Sequence, residues 1–181
     1  MKGKIILITG PMFSGKTTEL IRLGKRYKIA GKKCIFLKYK NDARYCEGEK
    51  TLSTHDKYSI QANPIDSLEE REGFDEFDVI LIDEGQFYKG LSDFCNYYAD
   101  KGKVVIVSAL NGKSDRTPWE EISLLFPYVT RIRFLNSVCN QCTKSAQFSH
   151  FKKGDKGEIV IGGEDLYEPL CRFCYSEKNK Q

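Results

Sequence analysis

A glycine-rich segment near the amino terminus carries the clearest chemical signal in the sequence. Residues 10–17 read Gly-Pro-Met-Phe-Ser-Gly-Lys-Thr and fit the pattern G-x-x-x-x-G-K-[ST]. Gly10 and Gly15 allow the backbone to curl so that successive N–H groups face a phosphate, and the amino terminus of a following helix adds partial positive charge. Lys16 is then expected to reach the β- and γ-phosphates, and Thr17 to bind Mg²⁺. The segment therefore predicts a nucleoside triphosphate site.

Two acidic residues directly follow the apolar run Val79–Ile82. A carboxylate at the carboxyl end of a buried strand lies where open α/β sheets bind ligands. We expect Asp83 to hold the metal through its water. Glu84, one step further on, can face an acceptor and serve as general base for the attacking oxygen. The alternative is a structural role, in which Glu84 caps or pairs within a loop.

Four of the seven cysteines form two C-x-x-C pairs, which are Cys139/Cys142 and Cys171/Cys174. Disulfides rarely persist in a reducing compartment, so such pairs indicate metal or redox chemistry. Four thiolates spaced in this way make a tetrahedral structural zinc site with no open position for catalysis. The zinc would close the base of the long loop Thr143–Leu170, with His150 outside the ligand shell. A redox dithiol remains the alternative, although two matched pairs favour a metal.

These segments need alternating strands and helices to position them. Short apolar runs predict strands, and apolar residues recurring every three or four positions predict helices. The predicted elements are strand Lys4–Thr9, helix Thr17–Ala30, strand Cys34–Tyr39, strand Phe77–Ile82, helix Ser92–Asp100 capped by Ser92, strand Lys103–Leu110, helix Pro118–Phe126 and strand Val129–Leu135. Residues 41–76 are expected to hold loops.

The strands are apolar along their whole length, which is typical of a parallel sheet covered by helices on both faces. Residues 1–135 are therefore predicted to form one P-loop-type α/β nucleotide-binding domain. After Asn136 the cysteine pairs, several glycines and an expected hairpin around Lys152–Ile161 indicate a small second domain over residues 136–181.

Composition limits the remaining classes. The 181-residue chain is 40% hydrophobic and 30% charged, as expected of a folded globule. No apolar run approaches the roughly 20 residues that span a bilayer, and no secretory signal is evident, so we expect a cytoplasmic protein without a membrane partner. A net charge of +4 suits anionic substrates but is too small to indicate nucleic-acid binding.

The sequence resembles the type II thymidine kinases, a zinc-containing cytosolic family, over nearly its whole length. The matching segments, in order, are Gly10–Leu20, Lys38–Tyr39 through Asp42 to Arg44–Tyr45, Thr54–Asp56, Asp83–Phe87, and the two cysteine pairs flanking Ile161–Gly163 and Tyr167. The resemblance implies transfer of the γ-phosphate of ATP to the 5′-hydroxyl of thymidine, with deoxyuridine as a further candidate, in nucleotide salvage for DNA synthesis. It also implies Mg²⁺ with ATP, a structural Zn²⁺, a homotetramer and feedback inhibition by thymidine triphosphate.

The resemblance further assigns roles to single residues. Glu84 would remove the proton from the 5′-hydroxyl, and the loop between the cysteine pairs would be the family's lasso, which folds over the nucleoside. The ATP-binding residues would be Gly10, Pro11, Met12, Phe13, Ser14, Gly15, Lys16, Thr17, Thr18, Arg44, Asp83 and Gln86. Thr17, Asp56 and Asp83 would lie at the magnesium ion. The nucleoside would contact Met12, Phe87, Trp119, Ser149, Val160, Ile161, Gly162 and Tyr167.

One segment departs from the family's pattern. The family has Asp-Gly-Thr-Phe-Gln-Arg followed shortly by Pro-Phe, whereas this chain has Asn111–Trp119. Ser114 replaces an aromatic residue, and Trp119 replaces a phenylalanine that lies against the nucleoside. We hypothesise that Trp119 fills the space left by the missing aromatic. A position on the outer surface, far from the lasso, would refute this.

Two other functions compete with this interpretation. A P-loop ATPase or GTPase in which Glu84 activates water would hydrolyse nucleotide without an acceptor, although the Asn-Lys-x-Asp motif of GTP-binding proteins is missing from the sequence. A zinc-ribbon module that binds nucleic acid would need a dense basic patch with exposed aromatics. The lysines Lys144, Lys152, Lys153 and Lys156 are instead scattered among the acidic residues Asp155 and Glu158, so no nucleic-acid partner is expected.

Overall fold

The computed structural model describes residues 2–40, 51–53, 59–69, 72–152 and 162–180. Its helices are α1 (Lys16–Ile29), α2 (Leu91–Asp100), α3 (Glu120–Leu125) and α4 (Arg172–Lys178), with 3₁₀ turns at Gly85–Phe87 and Phe126–Tyr128. Its strands are β1 (Lys4–Gly10), β2 (Cys34–Tyr39), β3 (Thr51–Ser53), β4 (Ser59–Gln61), β5 (Asn63–Ile65), β6 (Val79–Ile82), β7 (Val104–Leu110), β8 (Arg131–Phe134), β9 (Ser137–Val138), β10 (Ser145–Ala146), β11 (Phe148–Phe151) and β12 (Tyr167–Leu170).

Six strands form one sheet in the order β5-β2-β6-β7-β1-β8, and every neighbouring pair is parallel. Alternate residues of β1 point to opposite faces, so Ile5 and Leu7 join a core cluster with α2 and α3, while Ile6 and Ile8 join a cluster with α1. Strand β6 is buried at all four residues because both faces are covered. This confirms the predicted α/β fold with a parallel sheet.

The edge strand β8 differs from the prediction. It is shorter than Val129–Leu135, and Ile132 and Phe134 are 43% and 50% exposed. The rule that strands are buried on both faces holds for the centre of the sheet but fails at β8, which is an edge strand of the described sheet.

The start of α2 also differs from the prediction. Ser92 lies inside the helix, and the N-cap is Gly90, which has a left-handed backbone (φ 76°). The reason is a contact from a distant element: the carboxylate of Glu121 accepts hydrogen bonds from the N–H groups of Gly90 and Leu91, at 3.2 and 3.1 Å. A carboxylate at a helix amino terminus is favourable. Helix α3 begins at Glu120 instead of Pro118.

The stretch expected to hold loops contributes strands. Strand β5 extends the parallel sheet beside β2, and β3 pairs with β4 in a small antiparallel sheet. Pro64 lies in β5, a position open to proline because β5 is at the edge of the sheet. Residues 41–50 and 54–58 lie outside the described part.

Residues 136–180, termed the C-terminal lobe, contain two short antiparallel sheets and α4. Strand β9 pairs with β10, and β11 pairs with β12. The hairpin expected around Lys152–Ile161 falls, after Lys152, outside the described residues; β11 and β12 lie on either side of it. Among the described helices of the chain, none combines the length and apolar character that a membrane span needs.

Candidate active site

The glycine-rich loop, termed the P-loop, joins β1 to α1 and depends on two glycines. A Cβ atom on Gly10 would collide with the carbonyl oxygen of Leu135 and crowd the hydroxyl of Ser14, so no larger residue fits. Gly15 has φ 80°, a left-handed conformation that glycine adopts without strain, and it immediately precedes α1. The loop therefore closes tightly against the end of the sheet and points its last residues into the amino terminus of α1.

Two side chains of the P-loop form hydrogen bonds to the backbone of the same loop. Lys16 is buried, and its ammonium donates a 2.7 Å hydrogen bond to the carbonyl oxygen of Pro11. The Ser14 hydroxyl donates to the same oxygen at 2.8 Å. Phe13 adopts a left-handed backbone (φ 63°), whereas Thr18 is exposed on the first turn of α1. The lysine thus lies along the inner side of the loop.

Two residues predicted to bind magnesium meet at this point. The Thr17 hydroxyl donates a 3.0 Å hydrogen bond to Oδ2 of Asp83, which is buried at the carboxyl end of β6. The parallel sheet causes this meeting, because it brings the carboxyl ends of β1 and β6 to the same edge. A hydroxyl beside a carboxylate is a donor set of the kind that magnesium prefers. We call Lys16, Thr17, Asp83 and Glu84 together the strand-end site.

Glu84 is held in an unusual conformation. Its backbone is left-handed (φ 52°, ψ 43°), which non-glycine residues adopt at a cost of about 1–2 kcal/mol. Such conformations cluster at functional sites because surrounding contacts maintain them. The side-chain amide of Gln86 donates a 2.5 Å hydrogen bond to Oε2 of Glu84. Gln86, expected to contact ATP, is buried and bonds instead to the predicted base; contact with ATP stays a prediction.

An aromatic group lies beside this turn. Phe87 packs against Tyr39 at 5.2 Å between ring centroids, and Trp119 packs edge-on against Phe87 at 5.6 Å. Trp119 is only 9% exposed, so the outer-surface position that would refute the hypothesis about it is not observed. Its indole Nε1 is buried without a hydrogen-bond partner in the described part of the chain. Contact of Phe87 and Trp119 with a nucleoside stays a prediction.

The C-terminal lobe is attached directly to the P-loop. The backbone N–H of Met12 donates a 2.9 Å hydrogen bond to the hydroxyl of Ser149 on β11. The Ser137 hydroxyl donates to the carbonyl oxygen of Phe13 at 3.1 Å. Met12 and Ser149, both buried, were expected to border the same part of the nucleoside, and the structure brings them into contact.

The remaining predicted nucleoside contacts are only partly described. Tyr167 is half-buried and packs against Phe151 at 5.2 Å, in the pair of strands β11 and β12. A Cβ atom on Gly162 would meet the side chain of Leu166, which would have to shift to admit a larger residue. Four further predicted site residues lie outside the described residues: Arg44, Asp56, Val160 and Ile161.

The two cysteine pairs converge in the C-terminal lobe. The sulfur atoms of Cys139, Cys142, Cys171 and Cys174 all lie within 4.8 Å of one another. Burial opposes ionisation of Cys139, but N–H groups of Cys171, Gln141 and Cys142 outweigh it and lower its pKa to about 6. Burial and the neighbouring thiols raise the pKa of Cys174 to about 12. This all-sulfur donor set fits tetrahedral zinc, and a bound cation would offset the charge of four thiolates.

His150 lies outside this cluster, as predicted. Its ring packs edge-on against Tyr175 at 5.7 Å. The group of described residues that could hold a metal ion consists of the four cysteines. Burial lowers the pKa of His150 and so favours its neutral form. The cluster therefore supports a metal such as zinc with sulfur ligands only.

Tyr175 has a structural role that the sequence analysis missed. Its hydroxyl donates a 2.5 Å hydrogen bond to the carbonyl oxygen of Ser114, and the guanidinium of Arg116 lies 4.8 Å from its ring centroid. The segment Asn111–Trp119, which differs from the family's sequence pattern, is thereby fixed to the C-terminal lobe. An aromatic residue directly after the last cysteine was the available signal, but its partner is a backbone oxygen, which no sequence pattern reveals.

A P-loop at the end of β1, with an Asp-Glu pair at the end of the parallel strand β6, is the arrangement typical of P-loop nucleotide-binding proteins. Comparison with known sequences is more specific. The chain belongs to the thymidine kinase family, which it matches over residues 3–175.

Relatives of the chain include thymidine kinases of several poxviruses. It is 49% identical over 175 residues to the thymidine kinase of Myxoma virus (strain Lausanne), an alignment that covers 96% of each chain. It is 49% identical over 181 residues to the thymidine kinase of Raccoon poxvirus, covering 96% of this chain and 97% of the relative. Identity to the thymidine kinase of Vaccinia virus (strain Western Reserve) is 47%, with the same coverage.

Proposed function

We propose that this protein transfers the γ-phosphate of ATP to the 5′-hydroxyl of thymidine and forms thymidine monophosphate. The observation that carries the proposal is the Thr17–Asp83 hydrogen bond, which joins the P-loop to the strand end that bears Glu84. A nucleotide held by the P-loop would then have its terminal phosphate beside a carboxylate able to accept a proton. Relatives named thymidine kinase, at 47–49% identity over nearly the whole chain, support thymidine as the acceptor.

Each residue of the strand-end site has a distinct part in this reaction. Lys16 binds the β- and γ-phosphates, and the P-loop amides hold the remaining phosphate oxygens. Glu84 accepts the proton of the 5′-hydroxyl as its oxygen attacks phosphorus. Thr17 and Asp83 would hold Mg²⁺, with Asp56 as the third predicted residue. When bound, the ion would supply positive charge to offset the charge that develops on the phosphate oxygens.

We assign the acceptor pocket to the seam between the P-loop, the aromatic group and the C-terminal lobe. Met12 and Ser149 border the base, and Phe87 and Trp119 line the wall. From the lasso, Tyr167 and the backbone at 160–162 complete the contacts. A buried amide left unpaired by a wrong base costs about 1–3 kcal/mol, so backbone contacts of this kind would select thymidine.

The proposal includes a division of the chain at residue 135, into a nucleotide-binding domain (1–135) and a zinc-containing lasso domain (136–181). Acceptance of deoxyuridine, a homotetramer, feedback inhibition by thymidine triphosphate, a role in salvage for DNA synthesis and a cytoplasmic location rest on the resemblance to type II thymidine kinases alone. Zinc in this scheme is structural and takes no part in phosphate transfer.

Phosphate transfer from Mg-ATP to a panel of nucleosides tests the proposal, with the reaction lacking an acceptor alongside. We expect selective formation of thymidine monophosphate, a lower rate or none with purine nucleosides, and little ATP hydrolysis without acceptor. ATP turnover indifferent to every nucleoside would refute thymidine as the acceptor while leaving the P-loop assignment intact.

A further inference from the structure

Gln86 is a buried polar residue with both ends of its amide engaged. Only 5% of the residue is exposed. Its Oε1 accepts a 3.1 Å hydrogen bond from the backbone N–H of Leu110, the last residue of β7. Its Nε2 donates the 2.5 Å hydrogen bond to Oε2 of Glu84. The side chain therefore links the end of one central strand to the carboxylate that follows another.

The first of these hydrogen bonds fixes the direction of the second. An N–H group can donate only to the oxygen of an amide, so Leu110 determines which end of the Gln86 amide faces it. The amino end must then point at Glu84. Because the donor is fixed by a strand of the buried sheet, the Glu84 carboxylate has a hydrogen-bond partner that cannot rotate away.

The turn that carries Gln86 is equally constrained. Gly85 lies between the two residues, and a Cβ atom added there would come within 2.5 Å of Cγ1 of Val107 on β7. The turn is thus seated directly on that strand. Glu84 itself has the left-handed backbone that surrounding contacts must maintain. Both the backbone and the side chain of Glu84 are therefore positioned by contacts with β7 and its end.

We propose that Gln86 is a positioning residue, which holds the carboxylate of Glu84 where it accepts the proton of the acceptor hydroxyl. This inference rests on the proposed function, in which Glu84 is the general base. It replaces contact with ATP as the main role of Gln86. Positioning of this kind has a large effect on rate, because a displacement of about 1 Å at a reacting group can cost about 10²-fold.

Two variants of Gln86 test the proposal. Gln86→Met removes both hydrogen bonds at similar volume. Gln86→Glu keeps an oxygen that accepts from the N–H of Leu110, but its other carboxylate oxygen replaces the amide N–H group that donates to Glu84. We expect kcat to fall about 10–100-fold in both variants, while the KM for ATP changes by less than about threefold. A raised KM for ATP with normal kcat would overturn the proposal in favour of ATP binding.

The decisive measurement combines these changes with Glu84→Gln. If Gln86 acts through Glu84, adding Gln86→Met to Glu84→Gln will lower kcat no further, because residues that act as a unit are strongly non-additive. Losses that multiply would show a separate structural effect and overturn the proposal. Near-normal turnover of Glu84→Gln alone would be a different result, since it removes the base assignment itself.

A control at another glutamine separates this role from the loss of any hydrogen-bonded side-chain amide. Gln147 donates side-chain hydrogen bonds to Ser145 in the C-terminal lobe, and Gln147→Met should leave kcat near the parent value. Thermal unfolding of each variant shows whether it is folded. If Gln86→Met does not fold, the near-isosteric Gln86→Glu carries the same test in both backgrounds.

Discussion

The strand-end site and the C-terminal lobe are stabilised by different means. Residues of the strand-end site lie at the ends of β1 and β6. The residues of these strands are buried on both faces of the sheet, in two large apolar clusters. Within its described residues, the C-terminal lobe has a cluster of four buried residues, one of which is the cysteine Cys139. The residues proposed for catalysis are thus placed at the end of the sheet, whereas the part proposed to cover the nucleoside would rely on the metal that its four cysteines could hold. The following predictions test this separation, from the largest expected effect to the smallest.

Glu84→Gln should lower kcat by about 10²–10⁴-fold, because general-base assistance contributes that much. Binding of ATP and thymidine should change little, since the substitution preserves size and the P-loop is untouched. Steady-state kinetics and binding isotherms measure the two effects separately. Glu120→Gln, at an exposed position on α3, serves as the control. A variant of Glu84 with near-normal turnover would exclude it as the base.

Gly10→Ala should destabilise the fold by about 3 kcal/mol, because the new methyl group meets the carbonyl oxygen of Leu135. Gly31→Ala provides the comparison: its backbone is left-handed (φ 73°) but the space around it is open, so we expect a loss of about 1 kcal/mol. Urea unfolding compares the two. Equal losses would mean that the P-loop does not close tightly against the sheet.

Removal of the metal should affect the acceptor far more than the nucleotide. Cys171→Ser should lose zinc and raise the KM for thymidine by about tenfold or more, because the lobe depends on the metal for its fold. ATP binding should persist, since the P-loop belongs to the sheet. Metal analysis and the two KM values make the measurement, with Cys34→Ser as a control that keeps its zinc. An equal rise in the KM values for thymidine and ATP would contradict the separation between the sheet and the C-terminal lobe.

Tyr175→Phe should destabilise the protein by about 1 kcal/mol, the usual value of one hydrogen bond, because the bond to Ser114 is lost. Zinc content should stay unchanged, as the cysteines are not altered. Tyr128→Phe, at a ring that is 46% exposed, should have almost no effect on the unfolding free energy. A zinc content that fell with Tyr175→Phe would show that the lobe and the segment 111–117 form one cooperative unit.

Trp119→Phe should have the smallest effect. The variant loses apolar contact with Phe87 but also removes the indole N–H, whose burial without a partner is costly. These effects oppose each other, so we expect a stability change within about 0.5 kcal/mol. The KM for thymidine should rise by about threefold, while that for ATP stays constant. A change confined to ATP would place Trp119 outside the acceptor pocket.

The parts of the fold that could be predicted depend on local chemistry. The run Val79–Ile82 is entirely apolar and short, so its burial in a parallel sheet could be predicted directly. The position of Asp83 at the carboxyl end of that strand follows from the same prediction. The P-loop pattern and the paired cysteines are equally local. In each case the residue types and their spacing contain the physical cause of the structure.

The parts that could not be predicted depend on contacts between distant residues. Pro64 argues against a strand, and only the position of β5 at the edge of the sheet permits it. Helix α2 begins where Glu121 accepts its first N–H groups, a contact that spans two helices. Gln86 likewise gained its role through the N–H of Leu110. Tertiary contacts of this kind leave no periodic trace in the sequence.

The order of strands in the sheet also governs when the nucleotide site can form during synthesis. Strand β1, which leads into the P-loop, is among the first segments made, yet Lys4 pairs with Val104 and Thr9 with Phe134. Gly10 closes against Leu135, and Met12 bonds to Ser149. The phosphate cradle is therefore encoded first and completed late. Pairings this distant along the chain make folding slow, because the entropy of closing a long loop is lost before the contacts that stabilise it can form. A nascent chain that stops short of residue 104 would carry the whole glycine-rich motif without any of these contacts, and one that stops short of residue 149 would still lack the Met12 hydrogen bond.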